Sequence, residues 1–201
     1  RAPLAGVLGH AELLEWRPDA PTAERVEQAR AIIDAATHMA SLVDKTLKTT
    51  RLEAGHLPFE FALVDLASVA RQVVERMPAD ERHPLELDLP EEPLPVWADR
   101  ERIAEVLENL LSNAVKYSPA GGEVRVTLAG DGDRATVSVR DQGIGISAPD
   151  RDRLFRPFSR VRDRRVAAIE GSGLGLYICD RMVRAHGGRV DHAPLLHPGR
   201  Q

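Results

Sequence analysis

The chain of 201 residues contains a single cysteine, Cys179. One thiol excludes an internal disulfide framework and any cysteine-based zinc site, and it suits a reducing compartment. No apolar run approaches the roughly 20 residues that a membrane-spanning helix needs, so no membrane contact is expected of this segment. A basic excess is missing too, since 27 Lys and Arg stand against 31 Asp and Glu for a formal net charge of -4. A whole-domain positive surface for nucleic acid is therefore excluded, and any basic site has to be local. Signal-peptide layout, internal repeats and low-complexity segments are also absent. What is present, 43% hydrophobic and 29% charged residues, suffices for one ordinary domain or two small ones. Position 1 is Arg1 and a helical pattern follows at once, so a fragment of a longer protein is expected.

Residues 3–16 carry Leu4, Val7, Ala11 and Leu14 at spacings of three and four, one face of a helix, with Pro3 suited to its first turn. Pro18 and Pro21 bracket a loop, and Thr22 is the expected N-cap of a longer second helix. The stripe Val26, Ala29, Ile33, Ala36, Ala40, Val43 and Leu47 predicts a coiled-coil-like seam on that helix. A lone hairpin buries too little, so two hairpins are expected to pair as a four-helix bundle. The second helix fades near Gly55, which divides the chain into a hairpin over 1–56 and a second unit over 57–201. In the second unit Phe59, Phe61 and Leu63 alternate with Glu60 and Ala62 as a strand. Asp65 is expected to cap a helix to about Met77, and Asp99 another to about Tyr117. Leu85, Leu87 and Leu89 predict a strand between them, with Val96 and Trp97 in a further short one. Residues 123–129 and 135–140 pair around the turn Gly130-Asp131-Gly132-Asp133, and a helix from about Leu174 to Ala185 ends at Gly187-Gly188. The class expected is α+β, with helices on one face of a mostly antiparallel sheet.

The helix after Asp99 has an apolar face of Ile103, Val106, Leu107, Leu110, Leu111 and Ala114. On another face lie Glu105, Asn109, Asn113 and Lys116. Asparagine is a mediocre helix former, so two of them one turn apart read either as exposed polarity or as a site. An amide oxygen suits a Mg²⁺ ion that already carries waters and phosphate oxygens, and Lys116 adds a point charge for phosphate. The segment Asp141-Gln142-Gly143-Ile144-Gly145 follows a strand, where glycines allow close backbone approach. A carboxylate there accepts from the exocyclic amine of adenine, where guanine presents a carbonyl; the alternative is a plain turn. Gly171-Ser172-Gly173-Leu174-Gly175 leads into a helix and offers backbone N–H groups to an anion, but it matches neither the dinucleotide fingerprint nor the P-loop. Between these two segments run Leu154-Phe155-Arg156-Pro157-Phe158-Ser159-Arg160 and Val161-Arg162-Asp163-Arg164-Arg165. So long a connection reads as a lid, its arginines serving a triphosphate or solvating a loop.

Taken in this order, the segments resemble the ATP-binding module of bacterial sensor histidine kinases of two-component systems. Glu-Asn-Leu-Leu-Ser-Asn-Ala-Val-Lys-Tyr-Ser-Pro at 108–119 is similar to the family's N box, Asp141-Gln-Gly-Ile-Gly to its G1 box, Leu154-Phe-Arg-Pro-Phe to its F box and Gly171-Ser-Gly-Leu-Gly-Leu to its G2 box. Upstream, Arg1-Ala-Pro-Leu-Ala-Gly-Val-Leu-Gly-His-Ala-Glu-Leu-Leu and Arg51-Leu-Glu-Ala-Gly resemble the dimerisation and histidine-phosphotransfer hairpin, so the likeness covers about residues 1–190. The resemblance implies a hairpin that is half of a dimeric four-helix bundle, followed by the Bergerat-type (GHKL) α/β sandwich shared with gyrase, Hsp90 and MutL ATPases. It implies ATP and Mg²⁺ as cofactors, with Asn109 and Asn113 at the nucleotide and Asn113 the metal ligand. Lys116 would reach phosphate, Tyr117 would pack by adenine and Asp141 would read its amine. Gly143 and Gly145 would line the pocket, Gly171, Gly173, Leu174 and Gly175 would close it at the end of the lid, and Arg160 would contact the γ-phosphate. The implied activity passes the γ-phosphoryl group to a histidine and then to an aspartate of a response regulator, in a cytoplasmic homodimer whose parent protein can be membrane-anchored.

Relatives of this fold that hydrolyse ATP usually place a glutamate four residues before the metal-binding asparagine, as a general base. Asn109 stands there and has no useful basicity, which favours the histidine-kinase branch; an ATP-hydrolysing relative would have to rely on Glu105. A non-catalytic dimerisation and nucleotide-sensing module is the other alternative. The family's acceptor lies in a His-Glu-Leu-Arg-Thr-Pro run of which Arg1-Ala2-Pro3 matches only the end, so the acceptor is expected three residues before Arg1. The fragment alone is then not expected to autophosphorylate, and His10 falls at a non-acceptor position. Ala2 stands where many members carry a water-positioning Thr or Asn, so phosphatase activity is not expected. His38, His56, His83, His186, His192 and His197 show no metal-ligand spacing and read as surface or local structure. After Gly187-Gly188-Arg189-Val190 the family's closing strands are not recognisable, and a missing edge strand is expected. Cys179 reads as a small core residue.

Overall fold

The computed structural model describes residues 2–78, 80–159, 169 and 171–192, and the chain divides into two compact units, Arg1–His56 and Leu57–Gln201. The first is a hairpin of α1 (Ala2–Trp16) and α2 (Thr22–Glu53). Its helices run antiparallel: Gly6 faces Ala35, the His10 ring hydrogen-bonds Gln28 at 2.6 Å, and Arg17 pairs with Glu24 beside the loop. The N-cap is Pro21 rather than the expected Thr22, and no side-chain hydrogen bond closes the first turn. Pro21 has a φ of -51° and accepts Arg25 N–H, while Glu24 lies in the first turn, where its charge suits the helix dipole.

Helix α2 presents two apolar faces. Ile32, Ala35, Met39 and Leu42 are half-buried on the face that meets α1 through Ala35. The predicted seam is the other face, with Val26, Ile33, Val43 and Leu47 exposed by 42%, 62%, 56% and 51%.

In the second unit, β1 (Ala62–Asp65) pairs antiparallel with β3 (Pro95–Ala98), while β2 (Leu85–Asp88), β4 (Val124–Asp131) and β5 (Arg134–Arg140) form a sheet in the order β2-β4-β5. The strand expected over Phe59, Phe61 and Leu63 begins later, because Glu60 N–H donates to the Asp99 carboxylate at 2.8 Å instead of joining a ladder. Both phenyl rings pack on His186, with centroids at 5.5 and 4.9 Å. The mostly antiparallel expectation is met by β1–β3 and β4–β5, whereas β2–β4 is parallel. The β4–β5 ladder extends to Asp131 and Arg134, so the turn is the tighter pair Gly132-Asp133, with Gly132 at φ 57°.

Asp65 caps α3 (Leu66–Arg76) by accepting Ala67 and Ser68 N–H, and it also accepts Leu94 N–H at 2.9 Å. The Leu94 bond leads the effects that hold its carboxyl below the ordinary value. Asp99 caps α4 (Arg100–Lys116) through Arg102 N–H. A short α5 (Ala148–Arg151) precedes α6 (Gly175–Ala185). Val124, Val126 and Leu128 alternate inward along β4 and share one core with Val69 and Val73 of α3 and Leu107 and Leu111 of α4. The opposite face of β4 carries exposed residues such as Arg125, the half-buried-sheet pattern of a two-layer domain. The closing-strand expectation over 193–201 lies outside the described residues, among which no helix is long and apolar enough to cross a membrane.

Cys179 is fully buried on α6, with Sγ 3.8 Å from the Val106 carbonyl. Burial, reinforced by the Glu105 charge, pushes its thiol up to about 12. A thiol so protonated is a poor nucleophile. A chromogenic disulfide reagent is therefore expected to label it only after denaturant is added; stoichiometric labelling of the native chain within minutes would contradict the packing.

Candidate functional site

The amphipathic pattern of α4 turns Val106, Leu107, Leu111 and Ala114 into the core and leaves Asn109, Asn113 and Lys116 half-buried along one flank. The second glycine segment runs beside that flank. A Cβ on Gly175 would stand 2.8 Å from Asn109 Oδ1, and a Cβ on Gly171 would stand 2.8 Å from Lys116 Nζ. Seven residues of helix separate these contacts, about 10 Å at 1.5 Å per residue, so the glycine segment lies close to the side chains at both ends of this flank. Leu174 has a different part: its side chain is buried and its N–H donates to Ser172 Oγ at 3.2 Å, anchoring the segment at the start of α6. No side chain caps that helix.

The C-terminal end of α4 meets the first glycine segment. Ile144 N–H donates to the Tyr117 carbonyl at 3.0 Å, and a Cβ on Gly143 would lie 2.3 Å from that same oxygen. Asp141 Oδ1 accepts Gly143 N–H at 2.9 Å, so the carboxylate the sequence offers to a ligand also locks its own turn. Ser118 Oγ and Asp141 Oδ1 converge on Gly143, each 2.8 Å from where its Cβ would be. Ser118 is buried, and its Oγ has no hydrogen-bond partner among the described residues. A buried hydroxyl without a partner carries a desolvation cost that a polar ligand or water relieves. Lys116 Nζ lies 5.9 Å from the Tyr117 ring centroid, which ties the two residues expected at phosphate and base. Gly145, at φ 69°, has open space around its Cβ position.

The backbone of Phe158 and Ser159 meets the second glycine segment. Gly173, at φ 69°, packs on backbone, its would-be Cβ 2.6 Å from the Ser159 carbonyl, and Phe158 adopts a left-handed φ of 58°. Arg160, expected at the γ-phosphate, lies outside the described residues. Glu105 lies one turn before Asn109 on α4, 3.8 Å from Arg102. The described residues hold no group of three or more His, Cys, Asp or Glu able to bind a metal, so a divalent ion here would rest on the Asn113 amide oxygen together with phosphate and water oxygens.

Three contributors were not assigned from the sequence. Ser118 stands inside the 108–119 motif but signals nothing by itself. His83, placed with surface or local structure, is buried between Asp80 and the Ser118 carbonyl. His186 accepts Asp99 N–H at 3.0 Å through Nε2 and joins the end of α6 to the cap of α4.

A mixed sheet under helices, with an asparagine-bearing helix flanked by two glycine segments, defines the ATP-binding domain class of histidine kinases, gyrase and Hsp90. Residues 98–200 match the Histidine kinase-, DNA gyrase B-, and HSP90-like ATPase family, and the chain belongs to it. Its relatives are sensor histidine kinases. The alginate biosynthesis sensor protein KinB of Pseudomonas aeruginosa is 31% identical over 94% of this chain and 32% of its own length. The sensor histidine kinase WalK of Bacillus subtilis is 33% identical over 76% of this chain and 26% of its own length. The structure of full-length ShkA in complex with AMPPNP is similar with a TM-score of 0.69 and 34% identity, covering 93% of this chain and 39% of that one. The chain thus spans about a quarter to a third of the length of these two curated relatives.

Proposed function

We propose that the chain is the catalytic core of a sensor histidine kinase that binds ATP with Mg²⁺ and passes its γ-phosphoryl group to a histidine preceding Arg1. The observation that carries this reading is the close approach of Gly171 and Gly175 to Lys116 and Asn109 beside the turn of Asp141 and Gly143. In it, Asp141 accepts the exocyclic amine of adenine, the partnerless Ser118 hydroxyl gains a polar neighbour, and Lys116 lies against the phosphates. Asn113 would hold the ion, which when bound supplies charge neutralisation on the phosphate oxygens. The acceptor nitrogen attacks the γ-phosphorus in line as the bond to the β,γ-bridging oxygen breaks and ADP leaves. Asn109 supplies no base, and a nucleophilic ring nitrogen needs none; Glu105, paired with Arg102, keeps a structural part. The phosphoryl group then moves to an aspartate of a response-regulator receiver domain. Dimerisation through the exposed α2 seam completes a four-helix bundle.

Calorimetric titration with non-hydrolysable ATP and GTP analogues, each with Mg²⁺, tests the site. ATP-selective binding is expected, weakened about 10- to 100-fold by Asp141→Asn, the cost of one charge-assisted hydrogen bond. With the upstream histidine restored, acid-labile and alkali-stable phosphate is expected on the chain and absent in Asn113→Asp. Equal affinity for both nucleotides would remove the adenine reading. Selective binding without phosphotransfer would leave a nucleotide-sensing module in its place.

A further inference from the structure

His83 is 7% exposed on the loop before β2. Its Nδ1 lies 2.5 Å from Asp80 Oδ2 and its Nε2 lies 2.8 Å from the Ser118 carbonyl oxygen. A carboxylate and a carbonyl only accept, so both ring nitrogens have to donate, and only the imidazolium does that. The contact belongs to a seam in which Arg82 Nη2 donates to the Pro119 carbonyl at 2.6 Å, Gly122 N–H to the Arg82 carbonyl at 2.8 Å and Val124 N–H to the Pro84 carbonyl at 2.9 Å. The far side of the clamped turn is the nucleotide site, where the Tyr117 carbonyl accepts Ile144 N–H and Ser118 Oγ abuts Gly143. We propose that protonated His83 is a positioning residue, which holds the backbone of Tyr117 and Ser118 against the Asp141 turn and makes nucleotide affinity depend on pH.

Losing the proton leaves a ring lone pair facing an oxygen at one of the two short contacts. The charges that act on His83 come from its own loop, Asp80 attracting and Arg82 opposing. The facing turn, Ser118-Pro119-Ala120-Gly121-Gly122, brings no titratable side chain. The Ser118 carbonyl first, and then Asp80, raise the imidazole above its ordinary 6.5 against the opposing effects of burial and Arg82. With a raised folded value, the clamp is complete below 6.5 and is lost as pH rises through the higher folded value. Affinity for nucleotide therefore falls as pH rises above neutrality, and by reciprocity nucleotide raises the His83 value further.

The nucleotide arm of this proposal rests on the ATP-site reading, so the test has two independent readouts on the full chain. In NMR titrations without nucleotide, the Gly143 and Ile144 amide shifts are expected to move with the midpoint of the His83 ring. That step disappears in His83→Gln and moves to lower pH in Asp80→Asn, which serves alone if the glutamine variant does not fold. In calorimetry, the Kd for a non-hydrolysable ATP analogue with Mg²⁺ is expected to rise roughly three- to tenfold between about pH 6 and 9, tenfold matching a one-unit change in His83 pKa on binding. Amides indifferent to the His83 titration, or an affinity flat across this range, overturn the proposal. Coupled amides in a chain that binds no nucleotide would uphold the clamp and sink the ATP-site reading instead.

Discussion

Gly143→Ala is expected to weaken binding of an ATP analogue by at least about 100-fold, roughly 2.7 kcal/mol, while the secondary structure of the domain persists. The added methyl would lie 2.3 Å from the Tyr117 carbonyl oxygen and 2.8 Å from both Asp141 Oδ1 and Ser118 Oγ. The nearest of these neighbours cannot swing aside. The Tyr117 oxygen is main chain at the end of α4 and accepts Ile144 N–H, and Ser118 is buried. Relief requires the Asp141 turn to retreat from the end of α4, which breaks the Ile144 bond and displaces the carboxylate. Gly145→Ala is the matched control, because its Cβ position is open and only its φ of 69° resists a side chain. That strain is about 1–2 kcal/mol and leaves the turn in place. Calorimetric titration of both variants checks the contrast; a Gly143→Ala protein that binds like the parent would mean the turn does not touch α4 as described.

The largest loss of stability is expected from Asp99→Ala, about 3–4 kcal/mol from the loss of a helix cap together with two stranded N–H donors. Asp99 is 5% exposed; its Oδ1 accepts Arg102 N–H at 3.1 Å and its Oδ2 accepts Glu60 N–H at 2.8 Å. One carboxylate thus starts the helix that carries the site and ties down the chain entering β1. Burial pushes its carboxyl up, but the N–H bonds from Glu60 and Arg102 and the Arg102 charge outweigh that and hold it below the ordinary 3.8. A depressed folded value means that this stabilisation is present above 3.8 and is lost as pH falls through the lower folded value. Asp65, lowered above all by its Leu94 bond, contributes in the same direction. Urea unfolding at neutral pH and near pH 3 checks both points: Asp99→Ala is expected to lower the neutral midpoint and to flatten the acid limb. An unchanged neutral midpoint would show that the capping bonds do not carry the stability assigned to them.

Much of this was legible in the residues because the signals are local. Asp65 and Asp99 announce their helices within one turn, the spacing of Val106, Leu107, Leu111 and Ala114 orients α4, and Gly187-Gly188 ends α6. The polar strip of Asn109, Asn113 and Lys116 could be read because a single helix face presents it. Such features are decided by interactions within four residues in sequence. The strand expected at Phe59 was not decided that way. Its backbone competes for Asp99, and its rings for His186, partners far along the chain that no period of two can reveal.

The residues by themselves determined the helices, their caps, the order of the glycine segments and the family that this order defines. Tertiary structure alone decided the parallel pairing of β2 with β4, the two faces of α2 and the seam that joins His83 to the Ser118 carbonyl. It also decided which glycines are sterically obligatory: Gly143 and Gly145 are indistinguishable in the motif, yet one is pressed on the Tyr117 carbonyl and the other faces open space. The reason is that a capping carboxylate or a helical period acts through neighbours in sequence, whereas a close approach or a buried proton takes its energy from atoms brought near only by folding.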